Sequence, residues 1–238
     1  MDGSKIVWNV DTQIDFMNDD GTLSVPNARN IVGNLSSIFK SAVSNGVRIL
    51  GSADEHTDAS AEFEKNGGVF PPHCVRYTKG QLNIPETFLG KGNTGIARWH
   101  ESYAEAQLAA IFSKKQVILT KDDNDVFTSP HIAGLLKTVP KGAEIYLTGV
   151  ATEYCDACAL RGLVKYSAEN GMEWKISVVA DAIKEITEEG RIAAFEEFRK
   201  LGISFVKTAD VIRQLEGGHY DSALKEAARK QQAKSKVT

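Results

Sequence analysis

The chain has 238 residues, of which 42% are hydrophobic, and a formal net charge of -3 at pH 7. This length and apolar content suit one large domain or two small ones. The slightly acidic balance argues against nucleic acid or an anionic membrane surface as a partner. The opening residues contain no apolar signal core, and no run approaches the ~18 apolar residues of a membrane span.

The three cysteines are Cys74, Cys155 and Cys158. An odd and sparse set fits a reducing compartment better than a disulfide framework. We therefore expect a cytoplasmic protein.

Short apolar runs alternate with amphipathic stretches along the chain. In chain order the pattern predicts strand 6–10, helix 28–44, strand 47–50, helix 104–112, strand 116–120, helix 133–138, strand 144–147, helix 152–169, strand 174–180, helix 189–201 and strand 203–206. Such alternation predicts an α/β fold of three layers (α/β/α) around a six-stranded, mainly parallel, Rossmann-like sheet.

Two regions interrupt this alternation. Residues 54–100 show little periodicity, and a loop of that length inside a domain is usually functional. Residues 217–238 are polar and rich in Lys, Ala and Gln, which predicts a helix followed by disorder. We therefore expect one domain over 1–216 with an inserted loop at about 54–100, followed by a C-terminal tail.

Chemically capable residues follow four of the predicted strands. They are Asp11, Asp54, Lys121 and the segment 149–155. Ligands of open α/β sheets bind outside the carboxyl ends of the strands. We therefore expect these residues to meet at one edge of the sheet.

Cys155 begins a predicted helix after the turn 148–152. A thiol near a helix N-terminus can have a lowered pKa, and a thiolate is a nucleophile for acyl transfer. The N–H groups of such a turn also point to where an oxyanion would form. The alternative is that Cys155 is a small buried side chain.

Asp11 and Lys121 could support such a nucleophile. A carboxylate at this edge can take the thiol proton and later give it to a leaving amine. A lysine could hold Asp11 ionised. The alternatives are a capping or turn acid for Asp11 and, for Lys121, a surface lysine paired with Asp122 or Asp123.

The long loop contains residues that suit a metal ion. Asp54-x-His56 places two ligand types on one short segment, and His73 follows a Pro-stiffened turn. Carboxylate and imidazole suit one divalent transition metal, zinc first and iron or manganese as options. The alternative is that these are ordinary polar loop residues, although two of only five histidines lie here.

Two other motifs, those of a thioredoxin-type redox pair and of a zinc deaminase, match the sequence only in part. Cys155-x-x-Cys158 after a strand resembles a thioredoxin-type redox pair, but nothing nearby predicts the rest of that fold. Zinc deaminases use His-x-Glu with Pro-Cys-x-x-Cys. Here Glu55 precedes His56 and Tyr154 replaces the proline, which argues against a deaminase.

Taken together, the motifs resemble the isochorismatase-like cysteine hydrolase superfamily and, within it, the nicotinamidases. The resemblance covers about residues 6 to 206. The matching pieces are VDTQIDF at 10–16, Asp54-x-His56, FPPHCV at 70–75, Thr120-Lys121 and GVATEYC at 149–155.

The resemblance implies a catalytic triad of Asp11, Lys121 and Cys155. It also implies a cis peptide at Val150–Ala151 and an oxyanion hole formed by the N–H groups of Ala151 and Cys155.

By the same resemblance the metal ligands are Asp54, His56 and His73 with a fourth from the loop. Many nicotinamidases have His-Phe where this chain has Glu62-Phe63, and some relatives use Glu. Glu62 is therefore the expected fourth ligand and Glu64 the reserve.

Phe16 and Phe70 fall where the family packs aromatic rings around a pyridine. The chain departs from the nicotinamidase pattern at 122–127 (DDNDVF) and in the longer stretch 76–100. Both segments are expected near the substrate.

The resemblance implies hydrolysis of nicotinamide to nicotinate and ammonia through a thioester on Cys155, a reaction of NAD salvage. The runner-up is a related amidase of another small carboxamide or carbamoyl compound. A non-enzymatic alternative is an inactive binding protein of the same fold. Isochorismatase hydrolyses a vinyl ether without a cysteine, so Cys155 argues against it. The oligomeric state stays open, a homo-oligomer included.

Overall fold

The computed structural model describes residues 5–217. A single sheet forms its centre, with strand order β3-β4-β2-β1-β5-β6-β7 and every neighbouring pair parallel. The strands are β1 Lys5–Val10, β2 Arg48–Asp54, β3 Thr94–Ala97, β4 Gln116–Lys121, β5 Glu144–Val150, β6 Lys175–Lys184 and β7 Ser204–Val206. The predicted α/β class with a parallel sheet is confirmed.

The α-helices are α1 Ile14–Met17, α2 Val32–Ser44, α3 Glu105–Phe112, α4 Ile132–Leu136, α5 Ala157–Glu169 and α6 Glu188–Lys200. A seventh, α7, covers 208–217. A π-helical turn, Thr152–Asp156, leads into α5, and short 3-10 helices lie at Ala28–Ile31, Glu64–Asn66, Pro85–Thr87 and Val126–Thr128.

The sheet separates two hydrophobic clusters. Side chains of β1 alternate between them: Trp8 packs with α5 and α6 on one face, and Val7 packs with α2 and α7 on the other. Each cluster is therefore covered by helices, which gives the expected three layers.

The sheet has seven strands, so the prediction of six is wrong by one. The additional strand, β3, lies inside the region predicted as a loop and pairs only with β4 at the edge of the sheet. Its four residues, TGIA, are too few to show a periodic pattern.

Strand β2 continues four residues beyond the predicted 47–50, through Gly-Ser-Ala to Asp54. These small residues allow β2 to approach β1 closely. A Cβ on Gly51 would lie 1.8 Å from the carbonyl oxygen of Asn9. Small residues at this position therefore reflect a close strand contact rather than a turn.

The domain boundary at 216 stays a prediction. Helix α7 buries Val211 and Leu215 in the core, so the chain is still packed against the sheet at that point. The expected tail structure of 218–238 lies outside the described residues. Within 5–217, no helix has both the length and the apolar character needed to cross a membrane.

Candidate active site

Four neighbouring strands, β4, β2, β1 and β5, end beside one another at the carboxyl edge of the sheet. Asp11 follows β1, Asp54 ends β2, Lys121 ends β4 and Cys155 lies on the turn after β5. The register pairs Asp54 directly with Lys121. The structure thus brings together the acids, the lysine and the thiol that the sequence placed at this edge.

Lys121 lies at the centre of this group. Its Nζ is 3.0 Å from Oδ2 of Asp11 and 3.5 Å from Sγ of Cys155, and it also donates to Oδ1 of Asp54. The lysine is only 1% exposed. The alternative of a surface lysine paired with Asp122 or Asp123 is therefore wrong.

Asp11 is held in place from two directions. Its backbone has a left-handed φ of 46°, and its N–H donates to the carbonyl of Ser52 at 3.2 Å. The hydroxyl of Ser52 donates to Oδ1 at 2.7 Å. Ligand atoms of Asp11, Asp54 and Cys155 all lie within 4.8 Å of one another. The carboxylate of Asp11 and the thiol therefore share one buried space beside the ammonium.

Burial and the neighbouring charges shift the pKa values of these buried groups in opposite directions. Burial raises the pKa of Asp11, and Lys121 partly offsets that rise. Burial likewise raises the pKa of the Cys155 thiol well above its usual value, while Lys121 lowers it. For Lys121 itself, burial would lower the pKa, but Asp11 and Asp54 together raise it well above normal. The two carboxylates thus favour the charged form of the lysine, which lies between Asp11 and Cys155.

The turn that carries Cys155 begins at a close contact between strands. Gly149 has φ of +127°, and a Cβ there would lie 2.0 Å from the carbonyl oxygen of Val10. The next peptide bond, Val150–Ala151, is cis. The N–H groups of Tyr154 and Asp156 then donate to the carbonyl of Ala151 at 3.0 and 3.2 Å. Ala151 and Cys155 both line the cleft described below.

A second cluster lies next to the first and shares Asp54 with it. Nε2 of His56 is 3.6 Å from Oδ2 of Asp54 and 3.7 Å from Oε2 of Glu62. Nε2 of His73 is 3.8 Å from the same Asp54 oxygen and 4.0 Å from the same Glu62 oxygen. Ligand atoms of Asp54, His56 and His73 all lie within 4.8 Å of one another, and Oε2 of Glu62 faces both histidines.

The donor set fits a divalent metal. The carbonyl of Pro71 lies 2.8 Å from Nδ1 of His73, which points Nε2 into the cluster. Nε2 of His56 is buried and has no hydrogen-bond partner among the described residues. A buried nitrogen without a partner is costly, and a metal ion would satisfy it. Two imidazoles with carboxylates suit zinc, iron or manganese.

Glu62 and Glu64 are placed very differently. Oε2 of Glu62 faces both histidines, and its Oε1 accepts a hydrogen bond from the N–H of Asn124 at 3.1 Å. Burial raises the pKa of Glu62, and the charge of Asp54 raises it further. Glu64 is exposed on a 3-10 helix. Glu62 is thus the acid that geometry favours as fourth ligand.

One cleft of about 420 Å³, counted with its mouth, is lined by Cys155 of the first cluster and by Asp54, Glu62 and His73 of the second. Phe16 and Phe70 line it, together with four further apolar or aromatic residues: Leu23, Val25, Tyr154 and Ile186. Tyr154 packs edge-on against Phe70 at 6.0 Å between ring centroids. The cleft is therefore lined mainly by apolar residues, with Cys155, Asp54, Glu62 and His73 among them.

The two segments that depart from the family pattern, 122–127 and 76–100, lie at different distances from the cleft. Asn124, within 122–127, lines the cleft, but no residue of 76–100 does, so that expectation is wrong. Instead Arg76, Arg98 and His100 surround the buried carboxylate of Glu55. The long stretch therefore packs behind the metal cluster rather than against a substrate.

Sequence reasoning missed Gln13 as a support for Asp54. The Gln13 side chain donates to the Asp54 carbonyl and accepts from the Asp54 N–H, both at 2.7 Å. The only signal was its position in the first motif. It also missed Asp122, which contacts His56.

Comparison with known proteins gives consistent results. No protein-family model matches the chain. A curated nicotinamidase of Saccharomyces cerevisiae is 24% identical over 204 residues, which is 79% of this chain and 91% of that protein.

Solved structures extend the likeness to the fold. A pyrazinamidase of Pyrococcus horikoshii, in complex with zinc, has a TM-score of 0.64 and 26% identity over 86% of this chain and 99% of that one. An isochorismatase-like hydrolase from Alkaliphilus metalliredigens has a TM-score of 0.64 and 18% identity over 88% and 98%. The resemblance inferred from the motifs is confirmed.

Proposed function

Because this chain shares the isochorismatase-like hydrolase fold and its sequence likeness extends to nicotinamidases, we propose that it hydrolyses nicotinamide to nicotinate and ammonia. Cys155 is the nucleophile, and one divalent metal, zinc first, occupies the second cluster. The single observation that carries this proposal is one largely apolar cleft lined both by Cys155, which contacts Lys121, and by Asp54 and His73 of the candidate metal group.

In the proposed mechanism Asp11 takes the proton of the Cys155 thiol as the sulfur attacks the carboxamide carbon. The same proton then passes to the departing amine, which leaves as ammonia, and a thioester remains on Cys155. Asp11 next deprotonates the water that attacks the thioester, and nicotinate is released as the thiol reforms. The burial-raised pKa of Asp11 suits both accepting and returning a proton.

Lys121 stabilises the negative charge that moves between Asp11 and Cys155 during these steps. Its cation remains within 3.0 and 3.5 Å of the two groups. Because the site is buried, this electrostatic effect is stronger than it would be in water. The backbone N–H groups of Ala151 and Cys155 are the proposed donors to the tetrahedral oxyanion.

Asp54, His56, Glu62 and His73 would hold the metal. A metal ion held by these residues would supply a Lewis acid for the pyridine ring nitrogen. Phe16 and Phe70 provide apolar walls for a flat ring. The same cleft is lined by Cys155 and by three of the proposed metal ligands, Asp54, Glu62 and His73.

The proposal is tested by ammonia release from a panel of small amides, with and without added zinc, manganese or iron. We expect nicotinamide to be the best substrate and release to depend on metal. Release from a different carboxamide or carbamoyl compound alone would favour the related amidase. A protein that binds such amides without releasing ammonia would favour the inactive binding protein.

A cytoplasmic location is part of the proposal. Cys74, Cys155 and Cys158 are all free in the structure, as a reducing compartment would require. The cleft supports a small amide as the ligand. Size-exclusion chromatography with light scattering would measure the oligomeric state.

A further inference from the structure

Asp122, the residue after Lys121, contacts His56 through the imidazole nitrogen that does not face Asp54 and Glu62. Oδ1 of Asp122 lies 2.8 Å from Nδ1 of His56, whose side chain is fully buried. A carboxylate only accepts hydrogen bonds, so the imidazole donates from Nδ1, and in the neutral ring the lone pair is then on Nε2. Nε2 is the atom that faces Asp54 and Glu62. The contact therefore selects the tautomer that a metal ion requires.

Asp122 is itself held in place. The hydroxyl of the buried Ser60 donates to the same oxygen, Oδ1. The Ser60 oxygen in turn accepts the N–H of Thr57 at 2.9 Å. The loop that follows His56 thus folds back onto Asp122, and the carboxylate has little freedom to turn away from the imidazole.

The end of β4 contacts three consecutive residues of the metal-binding segment. The ammonium of Lys121 binds the carboxylate of Asp54, and the Lys121 carbonyl accepts the N–H of Glu55 at 2.8 Å. Asp122 completes the set with His56. The strand that carries the lysine of the proposed triad therefore also orients the first two proposed metal ligands.

We propose that Asp122 is a positioning residue for the metal centre, which it serves by fixing the tautomer and ring orientation of His56. The inference rests on the proposed function only in taking the cluster to bind a divalent metal. A ligating histidine that donates its other N–H to a carboxylate is a better ligand, and loss of that partner typically weakens metal binding 10–100-fold. His73 has a neutral carbonyl, that of Pro71, in the corresponding place.

The test uses zinc alone, with no amide present. The zinc dissociation constant is measured by chelator competition for the full chain, for Asp122→Asn and for the control Asp123→Asn. Asp123 is the neighbouring carboxylate; it is exposed and, among residues 5–217, accepts a side-chain hydrogen bond only from the N–H of Asp125. We expect Asp122→Asn to weaken zinc binding by about 10–100-fold, and Asp123→Asn to leave it within about twofold.

A second measurement needs no variant. Imidazole ¹⁵N shifts of the zinc-loaded chain should show His56 protonated at Nδ1 and bound to zinc through Nε2. Unchanged zinc affinity in Asp122→Asn, an equal loss in Asp123→Asn, or zinc bound through Nδ1 would each overturn the proposal. Normal zinc binding without nicotinamide hydrolysis would instead defeat the proposed function and leave the role of Asp122 intact.

Discussion

The ammonium of Lys121 lies 3.5 Å from the sulfur of Cys155, and both side chains are buried. In the proposed mechanism this contact stabilises the thiolate as it forms. Cys155→Ala should therefore lower turnover by roughly three or more powers of ten, as for other catalytic nucleophiles. Steady-state ammonia release measures the loss.

The matched control for this experiment is Cys158→Ala. Cys158 lies one helical turn further along, contacts the Arg161 side chain and does not line the cleft. It should keep most of the activity. Substantial turnover by Cys155→Ala, or an equal loss in Cys158→Ala, would rule out the thioester mechanism.

The second cluster should carry metal in the purified protein. We expect close to one equivalent of a transition metal by elemental analysis, and loss of that metal in His56→Ala, because the cluster loses one of two imidazole ligands. His100→Ala is the control, since His100 faces Glu55 and lies outside the cluster. Full activity in protein shown to be metal-free would exclude the metal site.

Nicotinamide should be hydrolysed far better than benzamide. The two rings have the same shape and would pack equally against Phe16 and Phe70, but only nicotinamide has a ring nitrogen for the metal. A site built to bind a polar atom rejects an analogue that lacks it, here by roughly two or more powers of ten in kcat/KM. Equal rates for the two amides would refute the role of the metal in specificity and leave the cysteine mechanism standing.

Asp156 should make stability depend on pH. Its carboxyl is buried, and neither oxygen has a hydrogen-bond partner among residues 5–217. Burial raises its pKa well above normal, and the charges of Asp11 and Glu153 raise it further. Because the folded-state pKa is raised, Asp156 costs no stability below the unfolded-state pKa of about 3.9. The free energy of unfolding falls as pH rises above that value.

Asp156→Asn removes this ionisation, so its gain in Tm over the natural chain should be larger at pH 8 than at pH 5. For a chain of this size each 1 kcal/mol corresponds to about 2–4 °C. Thermal melts at the two pH values measure the difference, and the exposed Asp123→Asn should show no such trend. An equal gain in Tm at both pH values would contradict the inference that Asp156 is a buried acid without a compensating partner.

The sequence predicted most of the site because its residues follow recognisable strands. Lys121 shows the limit of that reasoning. Taken alone it resembled a surface lysine, and only the parallel order of β4, β2 and β1 places it beside Asp54 and Asp11. Strand β3 was missed because four residues with a central glycine carry no periodic signal.

Contacts between distant segments account for the other omissions. The hydrogen bond between Asp122 and His56 joins residues 66 positions apart, and no local pattern encodes it. The stretch 76–100 was expected near the substrate because of its length, but its two arginines, Arg76 and Arg98, bind Glu55, which is buried between Asp54 and His56. Local sequence identifies which residues are capable of chemistry, and the tertiary structure decides which of them meet.

The order of the central strands has a consequence for how the protein acquires activity during folding. Asp11, Asp54, Lys121 and Cys155 come from four segments spread over most of the chain, and they meet only when β4, β2, β1 and β5 are all docked in parallel. Parallel pairing of distant segments is slow because loop closure precedes any favourable contact. Catalytic activity should therefore return late in refolding, after the helical signal has recovered. A destabilising change in any of the four strands should delay the return of activity, because it slows the same docking step.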